Sequence, residues 1–313
     1  MRDDIIPSKH VLCVGAAVLD TLFRVHDMPT GQGKVLPYDM LQIAEGMASS
    51  AAYTVHRMGG RASLWGAVGD DETGSRILRE LAESGIDMSG MTIAKGARSA
   101  LSTIIIDDHG ERLIVPFYDH KLHENKRSCT AEDLSSFDAV LVDVRWPELA
   151  FDVLTLAASL GKPAILDGDV APVETLEMLA PAATHIIFSE PAAQRLTETG
   201  DVAAMLPILH ARYPETFIAV TAGPAGCYWT EPHNPQVHRQ PTLAIKAVDT
   251  LAAGDVFHGT FALAVAQGLE SRAAIQLSSV AAALKCEVFG GRAGAPTRAQ
   301  TEMRLAEWLS NPA

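Results

Sequence analysis

Positive charge, cysteine and long apolar runs are all scarce in this chain of 313 residues, and each shortage removes a class of function. Lys and Arg total 25 against 38 Asp and Glu, a net charge of −13. Binding to a phosphate backbone needs clustered cations, so a nucleic-acid surface is excluded. A small anionic substrate is not, because a few local cations decide that. The cysteines are Cys13, Cys129, Cys227 and Cys286, scattered without paired spacing. That leaves neither a disulfide framework nor a zinc site and points to a reducing, cytoplasmic setting. Met1 to His10 carries Arg2, Asp3 and Asp4 without a long apolar run, which does not read as a signal peptide. No stretch reaches membrane-spanning length without charges, Pro or Gly. Repeats, low-complexity tracts and long linkers are missing too, so a single domain over residues 1–313 is expected.

What is present is a packed core. Hydrophobic residues make up 48% of the chain and charged ones 20%, the balance of a well-folded globular protein. Val11 to Gly15 is a short apolar run flanked by turns, as in a buried parallel strand. Similar runs recur at Ala139–Val144, Ala164–Asp167, His185–Phe188 and Phe217–Thr221. Helical spacing lies between them. Ile77, Leu78 and Leu81 share a face that ends at Gly85, and Val153, Leu154, Ala157 and Leu160 one that ends at Gly161. Strands alternating with helices predict an α/β fold with a mainly parallel sheet covered on both faces. Lys34–Ala44 and Ser99–Phe117 break the rhythm and read as antiparallel strands. The second is a hairpin turning at Asp108-His109-Gly110. Such a small sheet is either an edge meander or a lid over the C-terminal strand ends, where open α/β sheets bind ligands. Its apolar face needs cover, which predicts a homodimer through the lid.

The strongest chemical signal is Val248-Asp249-Thr250-Leu251-Ala252-Ala253-Gly254-Asp255-Val256-Phe257-His258-Gly259. A strand end turns through small residues into a helix, with Val256, Phe257, Thr260, Phe261, Ala264 and Val265 at helical spacing as far as Gly268. Ala252, Ala253 and Gly254 let backbone N–H groups approach a ligand at a helix N-terminus, where the dipole favours negative charge. That is an anion hole for a phosphoryl group in transfer. Asp255, in the first helical turn, is placed to take a proton from a hydroxyl nucleophile; as a bare helix cap it would have no such role.

This run resembles the D-T-x-G/A-A-G-D signature of the ribokinase-like (PfkB) carbohydrate kinases, whose final Asp is the catalytic base. The resemblance spans nearly the whole chain. Gly15 to Asp20 looks like the first strand and its sugar-binding Asp, and Glu45-Gly46-Met47 through Gly66-Ala67-Val68-Gly69-Asp70 like the N-terminal signature. Val220 to Gly226 looks like the strand and turn that approach the ATP phosphates. Gly290-Gly291-Arg292-Ala293-Gly294-Ala295-Pro296 looks like the loop beside the nucleotide and, in many members, a monovalent cation such as K⁺. The resemblance implies a three-layer α/β/α sandwich with a small β-sheet lid drawn from residues 18–45 and 98–118. It implies Asp20 and Gly46 on the sugar, and Thr221, Gly223, Gly226 and Thr250 on ATP. The usual N-x-x-E magnesium motif stands here as Ser189-Glu190-Pro191-Ala192. Glu190 and the pair Asp167 and Asp169 are therefore the candidates for Mg²⁺, though Asp167-Gly168-Asp169 reads equally as a plain turn.

Several stretches look like a narrower relative, the bacterial sulfofructose kinase: Asp143-Val144-Arg145-Trp146, Leu166 to Asp169, Phe188 to Pro191 and Ala283-Leu284-Lys285-Cys286. Its sulfonate clamp of Lys, Asn and Arg is matched by Lys34 and Arg145, with no Asn near Pro116. Charge-assisted donors at one end of a sugar fit an anion such as the sulfonate of 6-deoxy-6-sulfofructose. A neutral sugar, a sugar acid or a nucleoside is the alternative acceptor. A nicotinamide oxidoreductase is disfavoured because Gly15 is followed by Ala16, Ala17 and Val18, not by a G-x-G-x-x-G turn. A sugar-binding relative without catalysis would leave Asp255 without purpose.

Overall fold

A computed structural model describes residues 8–31, 33–124 and 127–310. Among these, the main sheet takes β1 (His10–Val14), β4 (Arg61–Trp65), β9 (Ala139–Val142), β10 (Ala164–Gly168), β11 (His185–Ser189), β12 (Phe217–Thr221), β13 (Cys227–Glu231) and β14 (Asn234–Gln240). Their order is β14-β13-β12-β11-β10-β9-β1-β4, parallel from β12 to β4 and antiparallel at β13 and β14. A second sheet, in the order β3-β2-β7-β8, takes β2 (Val18–Arg24), β3 (Asp39–Glu45), β7 (Leu101–Ile106) and β8 (Arg112–Phe117). β5 (Ala67–Gly69) and β6 (Thr92–Ala94) form a small ribbon. The helices are α1 (Met47–Arg57), α2 (Glu72–Glu83), α3 (Ala131–Leu134), α4 (Pro147–Ser159), α5 (Val173–Leu179), α6 (Glu190–Thr197), α7 (Val202–Arg212), α8 (Ala253–Ala266), α9 (Ser271–Cys286) and α10 (Arg298–Ser310).

The central strands are apolar through their middles because both faces are covered. Side chains of a strand alternate between faces, and the two cores divide accordingly. Leu12, Val14, Val140, Val142, Leu166, Ile186, Ile218 and Val220 join Leu149, Val153, Leu176, Ala192 and Leu206 of α4 to α7. Val11, Cys13, Leu141, Ile165, Ile187, Phe217 and Ala219 join α1, α2, α8 and α9 through Val55, Ile77, Phe261 and Ile275. These layers are the sandwich expected from the sequence.

The lid departs from the expected pattern in two ways. β2, within the range expected to supply it, pairs antiparallel with β3 but parallel with β7, so the sheet is mixed rather than antiparallel. Its third-strand segment begins at Asp39, and residues 33–38 are irregular and exposed. Gly31 and Gly33 hold positive φ, and Pro37 supplies no amide to a ladder, so the chain does not extend until after them. The inner face of the lid, with Leu22, Ile104 and Ile106, packs on Leu251 and Phe289. The lid therefore sits on the two loops that flank Gly254.

α1 and α8 lie against each other because both present small residues at the contact. A Cβ on Gly259 would come within 2.4 Å of the Ala51 carbonyl oxygen. Gly259→Ala should therefore lower thermal stability, although Ala is the better helix former by about 1 kcal/mol, since overpacking typically costs about 1–3 kcal/mol. A melting temperature equal to or above wild type would show that the two helices have room to part.

Candidate active site

The α8-facing row of each central strand turns polar where the strand ends. Cys13 is followed on that row by Gly15, Leu141 by Asp143, Ile165 by Asp167, Ile187 by Ser189 and Ala219 by Thr221. The parallel sheet thus delivers its polar groups to one edge, beneath the lid and beside the start of α8.

α8 begins without a side-chain cap. Ala252 holds a left-handed conformation, φ 61°, which strains a residue carrying a Cβ. Ala253 donates to the Thr250 carbonyl at 3.3 Å and Val256 to the Ala252 carbonyl at 2.9 Å. The amides of Gly254 and Asp255 have no partner among the described residues. Two unpaired N–H groups at the positive end of a 14-residue helix form an anion hole. Asp255 is half-buried and accepts no hydrogen bond among the described residues. Loss of bulk water, then the charges of Asp167, Glu45, Asp169 and Asp143, hold its carboxyl well above the usual carboxylate range. A carboxylate in that setting gains from taking up a proton.

The residues expected on the sugar converge from three elements. Asp20 on β2 is buried opposite Ser102 on β7, whose hydroxyl donates to it at 2.6 Å; burial raises its carboxyl to about 6. Gly46 precedes α1 with φ 114°, and a Cβ there would meet the Ala16 carbonyl oxygen at 2.5 Å. Asp143 binds this corner together. It accepts from the amides of Ala16 (2.8 Å), Ala48 (3.1 Å) and Arg145 (2.8 Å), and Gly15 has no Cβ because Asp143 lies where one would be. Tyr118, just past β8, has its phenol amid Arg145, Asp143, Asp20 and Asp255, where desolvation pushes it up to about 12.

Other expected residues are placed differently. Lys34 stands exposed in the irregular segment before β3, away from any strand end. The Arg145 guanidinium donates to the Val170 carbonyl at 3.1 Å and lies 3.4 Å from Asp169. The Thr250 hydroxyl, expected on the nucleotide, instead faces the lid: it accepts from Arg112 at 2.5 Å and donates to the Gly110 carbonyl at 3.2 Å. The hairpin tip reaches it because the Gly110 turn lies against Val248. Asp167 is less free than a metal ligand should be. Its carboxyl is buried 3.4 Å from His258 Nε2, while His258 Nδ1 lies 2.7 Å from the Gly254 carbonyl. Burial lowers the imidazole and raises the carboxyl. Nε2 also lies 3.2 Å from the Ile187 carbonyl, so a backbone acceptor faces each ring nitrogen. Asp169 accepts from Ser189 Oγ at 3.0 Å beside Glu190, the first residue of α6. Among the described residues no three His, Cys, Asp or Glu side chains form a ready metal cluster. Thr221 ends β12, followed by Gly223 (φ 48°) and Gly226 (φ 97°), the latter pressed on the Gln240 carbonyl of β14.

Sequence reasoning missed two buried charges. Glu45, read only as the start of the N-terminal signature, is enclosed: it accepts from Ser50 Oγ (2.5 Å) and the Arg292 amide (2.7 Å), tying β3 and α1 to the loop Gly290–Pro296. Lys285 is fully buried, with Nζ 3.0 Å from Asp249 Oδ2, 2.7 Å from the Asp249 carbonyl and 3.3 Å from the Val288 carbonyl. Its signal was positional: Ala274, Ser278, Ala281 and Lys285 follow one another on a single buried helical stripe.

Amides that invite an anion and a carboxylate that invites a proton, in one helical turn at the edge of a parallel sheet, equip an enzyme to move an anionic group onto a hydroxyl. Comparison with known proteins narrows that class. Residues 8–298 match the pfkB family carbohydrate kinases, and the chain belongs to that family: it is a phosphotransferase with a sugar hydroxyl as acceptor. It is 25% identical to a ribokinase of Bacillus subtilis over 95% of this chain and 100% of that one. A fructokinase of Klebsiella pneumoniae is 27% identical over 87% and 90%. A crystal structure from Agrobacterium tumefaciens, provisionally assigned as a ribokinase, superposes with a TM-score of 0.96 at 78% identity, covering 97% of this chain and all of that one. The ribokinase of Arabidopsis thaliana, solved with ribose and ATP, shares the fold at a TM-score of 0.80 and 18% identity, over 96% and 99%. No described helix is long and apolar enough to cross a membrane.

Glu45 makes the link to the last loop sensitive to pH. Burial, ahead of repulsion from Asp20, raises it from the ordinary 4.5 to about 7. The native state then holds the proton more tightly than the unfolded chain, so this group favours folding below pH 4.5 and loses that contribution as pH rises through 7. Glu45→Gln keeps the bond from the Arg292 amide, lets Ser50 Oγ accept from the new amide in place of donating, and removes the titration. Its melting temperature relative to wild type should rise on going from below pH 4.5 to above pH 7; a constant difference would mean that the fold leaves the proton affinity of Glu45 unchanged.

Proposed function

We propose that this kinase transfers the γ-phosphoryl group of ATP, bound with Mg²⁺, to a hydroxyl of an anionic sugar such as 6-deoxy-6-sulfofructose. The observation that carries the catalytic half is Asp255, unpaired and half-buried in the same turn as the unpaired Gly254 and Asp255 amides. The acceptor hydroxyl donates to Asp255 and gives up its proton there as the phosphoryl group passes over the amides. Asp20 accepts from sugar hydroxyls, and the glycine turn after β12 lies along the nucleotide phosphates. Asp169 and Glu190, on adjacent strand ends, suit Mg²⁺, which takes one or two carboxylates and fills its shell with phosphate oxygens and water. When bound, the ion neutralises charge on the phosphates.

The anionic end is supported by Arg145 at the strand end beside the sugar corner, with Lys34 on the segment leading into the lid. Tyr118, near where an amide donor was expected, adds a neutral hydroxyl. The contact of Arg145 with Asp169 favours a second reading, a neutral sugar or sugar acid, because that guanidinium already has a counter-charge. A homodimer through the lid completes the proposal: Met40, Leu101, Leu113 and Val115 are exposed on its outer face, and a second copy of the same sheet would cover them.

Asp255→Asn should retain ATP binding in calorimetry while kcat drops by at least ~100-fold, the usual worth of a positioned base. The raised carboxyl sets the direction of the wild-type profile: kcat/KM for the sugar rises with pH until Asp255 is ionised. An Asn variant with unchanged kcat would remove the assignment. Arg145→Ala and Lys34→Ala should each raise KM for sulfofructose and leave fructose unaffected; equal effects on both sugars favour the neutral acceptor. Val115→Glu should shift the sedimenting species from dimer to monomer, and a wild-type monomer at all concentrations would rule out the lid contact.

A further inference from the structure

The buried Lys285 ammonium has no part in the chemistry above, yet it lies where the resemblance put a free monovalent cation, against the loop Gly290–Pro296. We propose that Lys285 is a tethered replacement for that cation, a positioning residue that makes the kinase independent of K⁺. The inference rests on the reading of the Gly254 turn as the phosphate-facing site.

The oxygens a free ion would need are taken. Lys285 Nζ contacts the Asp249 carboxylate, the Asp249 carbonyl and the Val288 carbonyl, and no part of the side chain reaches solvent. Asp249 in turn holds both loops that flank Gly254. Its carboxylate accepts from the Leu251 amide at 2.8 Å on one side and from the Gly290 and Gly291 amides at 3.0 Å on the other. The amides of Val248 and Asp249 donate to the Cys286 carbonyl at 2.8 and 3.1 Å, so the negative end of α9 points at the same spot. A carboxylate and a helix C-terminus beside an anion hole would repel a phosphoryl group unless a cation offsets them. The ammonium supplies that charge and fixes Leu251 and Gly290 relative to each other. Being covalently attached, it does not exchange with the medium.

The test compares wild type and Lys285→Ala at constant ionic strength in potassium, ammonium and tetramethylammonium chloride. Wild type should show the same kcat/KM in all three, no K⁺-dependent shift in melting temperature, and no bound Tl⁺ by thallium NMR. Lys285→Ala in tetramethylammonium should lose about 100-fold in kcat/KM, comparable with the loss of a preorganised charge-stabilising group. It should bind Tl⁺, melt higher in potassium or ammonium, and recover most of its activity there. Wild type that binds Tl⁺ or is activated several-fold by K⁺ overturns the proposal, whether or not the variant folds. So does a folded variant that is inactive and indifferent to every cation, or one as active as wild type without any. Thallium binding and melting need no substrate. A wild type that transfers phosphate to no sugar would therefore count against the kinase assignment, and the two failures stay separate.

Discussion

The constraint that governs this molecule is the crowding of carboxyls at one edge of the main sheet. Asp20, Glu45, Asp143, Asp167, Asp169, Asp249 and Asp255 all come to the ground between the strand ends, the lid and α8. Each has been given its own means of living there. Asp143 is surrounded by amides, Asp249 by amides and an ammonium, and Asp169 by a hydroxyl and a guanidinium. Asp167 lies against His258, and Glu45 leans on Ser50 and the Arg292 amide. Among the described residues Asp255 alone of these is left without a donor. Loss of bulk water, and then the neighbours that repel its charge, raise its hold on a proton, which suits the base proposed for it.

The same arrangement joins parts of the chain that are far apart in sequence. Glu45 links the lid and α1 to the final loop, and Asp249 links that loop to the turn before α8. Thr250 adds the lid hairpin through Gly110 and Arg112. The turn carrying Ala252 is held from several sides, and this over-determination allows a non-glycine residue to stay left-handed there. The interactions are mostly buried and charged, so removing one partner leaves the other exposed to a low dielectric.

Much of this was legible in the sequence where local pattern and local structure coincide. The apolar runs marked the central strands to within a residue or two, and helical spacing after Gly254 marked α8. Gly85 and Gly161 marked helix ends. The turn at Asp108-His109-Gly110 fell where expected, since Asp107 accepts from the His109 and Glu111 amides. What was hidden depends on contacts across long stretches of chain. Nothing near Glu45 announces Arg292, and nothing near Thr250 announces Gly110. The strand Val18–Arg24 was also obscure, because Asp20, Thr21 and Arg24 interrupt its apolar face. Its inward Asp is paired only by Ser102, on a strand some eighty residues later. Lys285 could be seen on a buried stripe, but its partners come from the loops on either side of α8.

The division of each central strand between two cores has a consequence for how the gene can vary. Odd-numbered residues of β1, β9, β10, β11 and β12 face α8, and the row continues into Asp143, Asp167, Ser189 and Thr221. Deleting one codon inside such a strand would exchange one apolar face for another, which the cores tolerate in polarity if not in volume. The same deletion would send the carboxylate beyond the strand end to the opposite side of the sheet. Loss of reading parity should thus abolish chemistry before it abolishes folding.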